Sequence, residues 1–596
     1  MKLLRIDLTE LARSKTGQSG KSGKGRAVTV EPLADPLSGG RLLTAEILAR
    51  EVDPGCDPLG PDNHLVLAAG PLAGWGVSDA GRLSIGAKSP LTGGIKESNA
   101  GGDVADQLAN LGYRGVILAG ALPVDASPTV VVIDGGDADP VRFVPAPDYR
   151  GLWLEETAAR LRADFGAADF GAADFGAADF GAGYTYLAIG PAGEMLMPAA
   201  AICAGDVRGG PYRFAARGGL GAVLGSKGVK AVLIRKTKSS TRPRGAEFRA
   251  AVATYHRVLA GNPRIEVLRK YGTASTVMLV QSLGGLPTRN FSQGAFEEAE
   301  RLSGEALYDL ITARGGEGTP TESCMATCVI QCSNVYPDAA GRRLVAPIEY
   351  ETLGMCGSNL GIGDPDVVAR LNRLCNELGL DTIEVGATLG VAAEAGLWAF
   401  GDAARAVALV EEIGQGTVLG RLLGQGCHTV GRTLGVRRIP TVKRQAISAY
   451  DPRAIKGTGV TYATSPMGGD HTAGLTVFAP VDHHDRQGQV ALSRGTQITR
   501  AAYDALGLCV FLLGSTAAHP ELITDMLSAA YDVPVAPAYL AEIGRRVIDL
   551  EREFNRRAGL TQAADRLPDF FVTEPLAPHG ERWDLPEAEL DRMWAD

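Results

Sequence analysis

Residues 115–135 read GVILAGALPVDASPTVVVIDG. Two short runs rich in Val, Ile and Leu are bounded by Gly, Pro, Asp and Ser, the composition of strands separated by turns. HLVLAAG at 64–70 and KAVLIR at 230–235 have the same texture, so residues 1 to about 235 predict a β-rich unit.

Further along the chain the pattern changes. GAEFRAAVATYHRVLAG (245–261) and DVVARLNRLCNELG (366–379) carry apolar residues at helical spacing, and residues 242 to 440 read as mostly helical. The last segment combines a Gly-rich stretch at 451–474 with helices such as PAYLAEIGRRVIDLEREFNRRAG (537–559). The expected class is α+β: a β-rich domain at 1–241, then mainly helical domains at 242–440 and 441–596, with a concave site at their junction. ADFGA repeats four times in tandem from Ala163 to Ala182. A five-residue period fits neither helix, strand nor solenoid, and the run reads as an expanded surface loop before the strand TYLAIG.

At 596 residues the chain exceeds the size of one core, and two to four domains are expected. With 45% hydrophobic and 21% charged residues it reads as a folded globular protein, with glycine high at 77. A net charge of −9 and the absence of a long basic run exclude a phosphate-tracking surface, hence no nucleic-acid partner. The opening MKLLRIDLTELARSK has charges where a signal peptide needs an apolar core, and no stretch of eighteen uncharged apolar residues follows. A cytoplasmic protein without a membrane span is the expectation.

Nine cysteines without a secretion signal point to reduced thiols or metal ligands. In ESCMATCVIQCSN (322–334), Cys324, Cys328 and Cys332 lie four residues apart, so their sulfurs can converge from a loop or a helical turn. A [4Fe–4S] cubane needs four thiolates, and Cys509 in DALGLCVF is the favoured remote ligand. Zinc would more often show two separated Cys-x-x-Cys pairs, and a radical-type cluster a second gap of two residues. A buried helical stripe is the bland alternative, disfavoured because Met325, Val329 and Ile330 put apolar side chains on other faces. Cys56, Cys203, Cys356, Cys375 and Cys427 read as small buried apolar residues.

Three Gly-rich strings, KSPLTGGIKESNAGG (88–102), RFAARGGLGAVLGSKGVKAV (213–232) and GTGVTYATSPMGGDHTAG (457–474), accompany DALGLC. HLVLAAGPLAGWG, IEYETLGMCGSNLGI and CNELGLDTIEVGATL fall among them in order. Together they resemble the aldehyde:ferredoxin oxidoreductase family of tungsten enzymes through nearly the whole chain. GGLGAVLG, by contrast, misses the nicotinamide fingerprint.

The resemblance implies tungsten, or molybdenum, held by two pterins that a Mg2+ ion bridges through their phosphates, with the β-rich domain as the base beneath them. It also implies that the [4Fe–4S] cluster passes electrons to ferredoxin or an iron–sulfur partner subunit. Arg82, Asn99, Arg213 and the Phe214 carbonyl would surround the phosphates and magnesium, with Arg217 a further cation. The family's paired D-x-x-G-L-(D/C) motif, which grips the pterin rings, corresponds to Asp504–Cys509 and, with Asn for Asp, to Asn376–Asp381. The Asn376 carbonyl still accepts a hydrogen bond, but without charge.

Glu351 and His471 fall on the family's positions beside the metal, as base and substrate hydrogen-bond donor. By residues alone Glu349 is an equal candidate; register favours Glu351. Two departures stand out: the first cysteine gap is three residues where two are usual, and Ala473 replaces a lysine. The implied reaction interconverts a small aldehyde or oxo-acid and its carboxylic acid, in a chain that could form a homodimer. The alternative is a non-catalytic iron–sulfur or cofactor-carrying subunit.

Overall fold

The computed structural model of the chain describes residues 1–15, 27–136, 140–166, 183–237, 242 and 244–595. Most of the ADFGA run, residues 167–182, lies outside them, and with it the expected loop; the first copy ends a helix, Leu154–Phe165.

The β-rich expectation holds, in the form of an internal duplication. β1 (Lys2–Asp7), β2 (Val28–Pro32), β3 (Leu65–Ala69), β4 (Leu83–Lys88), β5 (Ile95–Ala100) and β6 (Tyr113–Ala119) make one sheet in the order β2-β1-β6-β3-β4-β5. β7 (Thr129–Ile133), β8 (Val141–Pro145), β9 (Tyr184–Ala188), β10 (Ile202–Ala204), β11 (Arg213–Ala215) and β12 (Val229–Arg235) make a second, in the order β8-β7-β12-β9-β10-β11. Each sheet has one parallel pair, β1 with β6 and β7 with β12, and antiparallel pairs elsewhere. The helices repeat as well: Gly40–Glu51 and Leu154–Phe165 follow the second strand of each half, and Val104–Asn110 and Leu220–Ser226 precede the last.

The burial pattern explains the apolar runs. Val131 and Ile133 of β7 face a core shared with Leu65 and Leu67 of β3, while Val130 and Val132 pack outward on Leu154, Ala158 and Leu161. Both faces of these central strands are covered, so alternation gives way to continuous Val, Ile and Leu. Helix Gly40–Glu51 covers the outer face of the first sheet in the same way, through Leu43, Ile47 and Leu48 against Val66, Ala68 and Ile117.

The chain after residue 245 is mostly helical and packs a core that runs without a break across residue 440: Leu389 and Val391 share it with Ile447, Ile455 and Val460. A separate core joins the two parts, with Leu42, Leu72 and Trp75 against Phe248, Tyr255, Ala501 and Leu506. Among the described residues no helix is long and apolar enough to cross a membrane.

Candidate active site

Two helices of the second part end in the same turn. Pro365–Leu378 closes at Gly379 (φ +69°) and Gln489–Leu506 at Gly507 (φ +67°), left-handed positions that suit glycine. In each, the residue after the glycine donates back into the last helical turn: Leu380 to Cys375 at 2.8 Å and Leu508 to Tyr503 at 2.9 Å. Each turn lies against one half of the duplicated base. The Gly379 carbonyl accepts from Ala201, before β10, and the Gly507 carbonyl from Arg82, before β4. Contact is backbone to backbone: a Cβ on Gly190, just after β9, would stand 2.4 Å from the Leu378 carbonyl oxygen. One on Gly70, just after β3, would stand 2.0 Å from that of Leu506.

Both turns line one cavity of about 610 Å³ between the base and the helical part. Its walls include Arg82, Asn99, Arg213, Phe214, Arg217, Asn376, Asp381, Asp504 and Cys509, so the residues expected at a cofactor converge from distant segments. Arg82 donates through Nε to the Asn99 side chain and through Nη2 to the Asn99 carbonyl at 3.3 Å. Burial opposes its charge, yet the Cys509 and Cys324 sulfurs, Asp504 and Glu97 raise its pKa. Arg213 reaches Ser333 at 2.7 Å and Glu322 at 3.4 Å, and its buried Nε has no partner among the described residues. Arg217 pairs with Asp381 at 3.2 Å and donates to Ser448 at 3.0 Å and the Gly469 carbonyl at 2.9 Å.

Glu351 opens a short helix, Tyr350–Thr352, that runs into a π turn, Leu353–Gly357. A Cβ on Gly354 would come within 2.5 Å of Ala449, so glycine there lets the 446–450 segment approach. The Ala449 N–H then donates to Glu351 Oε2 at 2.8 Å. Glu351 Oε1 has no hydrogen bond and lies 3.3 Å from His471 Nε2. Glu349 instead accepts from Thr273 and raises the pKa of Cys332, second only to burial, so of the two glutamates only Glu351 meets the histidine.

Burial pushes the Glu351 carboxyl up to about 8, against the Ala449 N–H and Arg217, which hold it down. Burial pushes His471 down to about 3, although Asp470 beside it works the other way. At neutral pH the proton therefore belongs to the carboxyl and the imidazole is neutral. Ser448 Oγ accepts from Arg217 and lies 2.9 Å from His471 Nδ1. Once Glu351 is ionised, the Ser448 proton can point at Nδ1, which leaves Nε2 as the imidazole N–H facing Glu351 and the cavity.

Cys324, Cys328 and Cys332 sit in an irregular loop between strands Thr319–Glu322 and Ser333–Pro337, which rules out a helical stripe. The loop is pinned at both ends of the site: Gly102 donates to the Cys324 carbonyl at 2.8 Å, and Asp79 accepts from Val329 at 3.4 Å through its side chain. Asp79 also accepts from the Cys509 N–H at 2.8 Å through its carbonyl. All four thiols are free, and Cys324, Cys332 and Cys509 line the cavity while Cys328 packs behind them. Apart from burial, Cys324 and Cys509 each raise the pKa of Cys332. Among the described residues no three His, Cys, Asp or Glu converge as around a single ion. Four thiols from two segments at one end of the same cavity are nevertheless the donor set that a cubane, with one thiolate at each of four corners, would use.

The sequence did not reveal how the second turn, at 504–509, is anchored. Arg41, 1% exposed, forms a bidentate pair with Glu551 at 2.8 and 2.7 Å and reaches Asp504 at 3.3 Å. Its partner lies 510 residues away, so no local pattern marks it. Two further cavity arginines, Arg264 and Arg500, stand in no Gly-rich string and were equally silent.

Comparisons with known proteins agree with the geometry. Residues 21–236 match the model for the aldehyde ferredoxin oxidoreductase N-terminal domain, and 250–596 that for its domains 2 and 3. The chain is 32% identical over 575 residues to the tungsten-containing aldehyde ferredoxin oxidoreductase of Pyrococcus furiosus, covering 92% of this chain and 89% of that one. The Thermococcus kodakarensis enzyme of the same description is similar to the same extent. In fold, the chain resembles the solved active-site complex BamBC of benzoyl coenzyme A reductase, with a TM-score of 0.75 at 19% identity, over 100% of this chain and 93% of that one.

Proposed function

The chain belongs to the aldehyde ferredoxin oxidoreductase family, and on that premise we propose that it oxidises an aldehyde to a carboxylic acid, or runs the reverse, at Glu351 and His471. The observation that carries the reading is that pair: an orphaned carboxylate oxygen 3.3 Å from a neutral imidazole, facing a cavity walled by arginines and by two matching turns.

When bound, a tungsten or molybdenum bis-pterin supplies the two-electron chemistry and a [4Fe–4S] cluster the one-electron relay to ferredoxin or a partner subunit. Asp504 and the Asn376 carbonyl would accept hydrogen bonds from the pterin rings, while Arg82, Arg213 and Arg217 would balance the phosphate charge and Asn99 and the Phe214 carbonyl would offer oxygens to the Mg2+. Cys324, Cys328, Cys332 and Cys509 would hold the cluster. Because water and an aldehyde give a carboxylate, protons must leave as well as electrons. In its ionised form, which grows as pH rises towards 8, Glu351 takes a proton from the attacking water or hydrated aldehyde. His471 directs its Nε2–H at the substrate oxygen and at Glu351, and Ser448 keeps it in that tautomer.

Protein purified without oxygen should contain about four iron per chain together with tungsten or molybdenum. Glu351→Ala and His471→Ala should keep those metals and lose aldehyde oxidation. Zinc without iron would overturn the cofactor reading, and full activity in both variants would overturn the assignment of the chemistry to Glu351 and His471.

A further inference from the structure

The same cavity carries a cation that none of the assigned roles uses. Arg264, from helix Pro263–Tyr271, lines this cavity together with the apolar Leu475, Phe478 and Phe511. Its guanidinium carbon lies 3.9 Å from the Phe478 ring centroid. Arg213 and Arg217 answer to Glu322 and Asp381, whereas Arg264 has no carboxylate partner among the described residues. Burial lowers its pKa, and the Tyr450 phenol is what offsets that burial. The Tyr450 ring in turn packs 5.8 Å from the ring of His471, so a single aromatic side chain separates this cation from the proton-handling pair.

A guanidinium held over an aromatic ring, half withdrawn from water and without a carboxylate, keeps its fork of donors open for a planar anion. We infer that Arg264 reads the far end of the substrate, which is an aldehyde bearing a carboxylate, its carbon chain lying along Phe478 and Tyr450. The inference rests on the aldehyde chemistry proposed above and adds the substrate class.

The metal-loaded enzyme would be given succinic semialdehyde and butanal, equal in chain length and different in charge. The expected result is a kcat/KM at least about tenfold higher for the charged aldehyde, carried by KM, with Arg264→Gln lowering that ratio roughly 10- to 100-fold and Arg264→Lys recovering part of it. Equal kcat/KM for the two aldehydes, or a ratio that Arg264→Gln leaves unchanged, would overturn the inference. Calorimetric titration with succinate needs no turnover. Binding to the native chain that Arg264→Gln abolishes supports the anion site even if neither aldehyde is oxidised, in which case only the proposed reaction fails. No succinate binding to the native chain overturns the anion site whatever the kinetics.

Discussion

The turn at 376–381 and the turn at 504–509 are built alike and finish differently. Both follow a long helix, pass through a left-handed glycine and press backbone against one half of a duplicated base. The first ends in Asp381, which caps the helix Thr382–Glu394 through Ile383 and pairs with Arg217. The second ends in Cys509, whose N–H is tied to Asp79 beside the three-cysteine loop. One symmetric device thus ends asymmetrically: on the proposed reading both turns would grip a flat ring, and only the second would hand electrons onward. The acid at the start differs too, Asp504 within reach of Arg41 where Asn376 carries no charge.

The largest break in this comparison is Cys509→Ala. It should remove the cluster, so iron and inorganic sulfide fall from about four per chain towards zero and aldehyde oxidation is lost, whereas Asp381→Ala retains iron. Iron assay of both variants after anaerobic purification decides between them.

Glu351→Gln acts between the turns. Proton transfer by a positioned side chain contributes about 10²- to 10⁴-fold, so kcat should fall by that order with metals retained. Because burial raises the Glu351 carboxyl to about 8, the base form grows as pH rises through that value. The native kcat/KM should therefore climb with pH and level off above about 8, and a pH profile of Glu351→Gln should lack that limb.

Gly70→Ala and Gly190→Ala test the backbone contacts one half at a time. Each adds a methyl against a carbonyl that cannot swing aside, and each should destabilise by about 3 kcal/mol or more in urea unfolding. At 2.0 Å against 2.4 Å, Gly70→Ala should be the worse, and it alone should release iron. Equal effects on iron would mean that the two halves are not independent. The smallest change, Arg217→Lys, keeps the charge and loses the fork that spans Asp381, Ser448 and Gly469. It should lower stability by about 1–3 kcal/mol, read in the same assay, with iron unchanged.

The sequence disclosed what depends on neighbours along the chain. Apolar runs such as TVVVIDG gave the strands, NELGLD and DALGLC the turns, and the cysteine spacing the loop. It did not disclose the duplication of the base, which lies in the order and pairing of strands from distant segments. Nor did it show the Arg41–Glu551 pair, the π turn after Glu351, or Arg264. The pair and the contact of Arg264 with Phe478 join residues hundreds of positions apart, where periodicity and spacing carry no signal, and the π turn is a local departure from the helical period.

The docking of residues 504–509 on residues 70 and 82 also sets a timetable for biosynthesis. A ribosome adds roughly 5–20 residues per second, so about 9–35 s pass between the emergence of Cys332 and that of Cys509. Through that interval the three thiols of the loop lack the fourth. The proposed cluster would therefore be completed only after Cys509, the last of its ligands, has emerged.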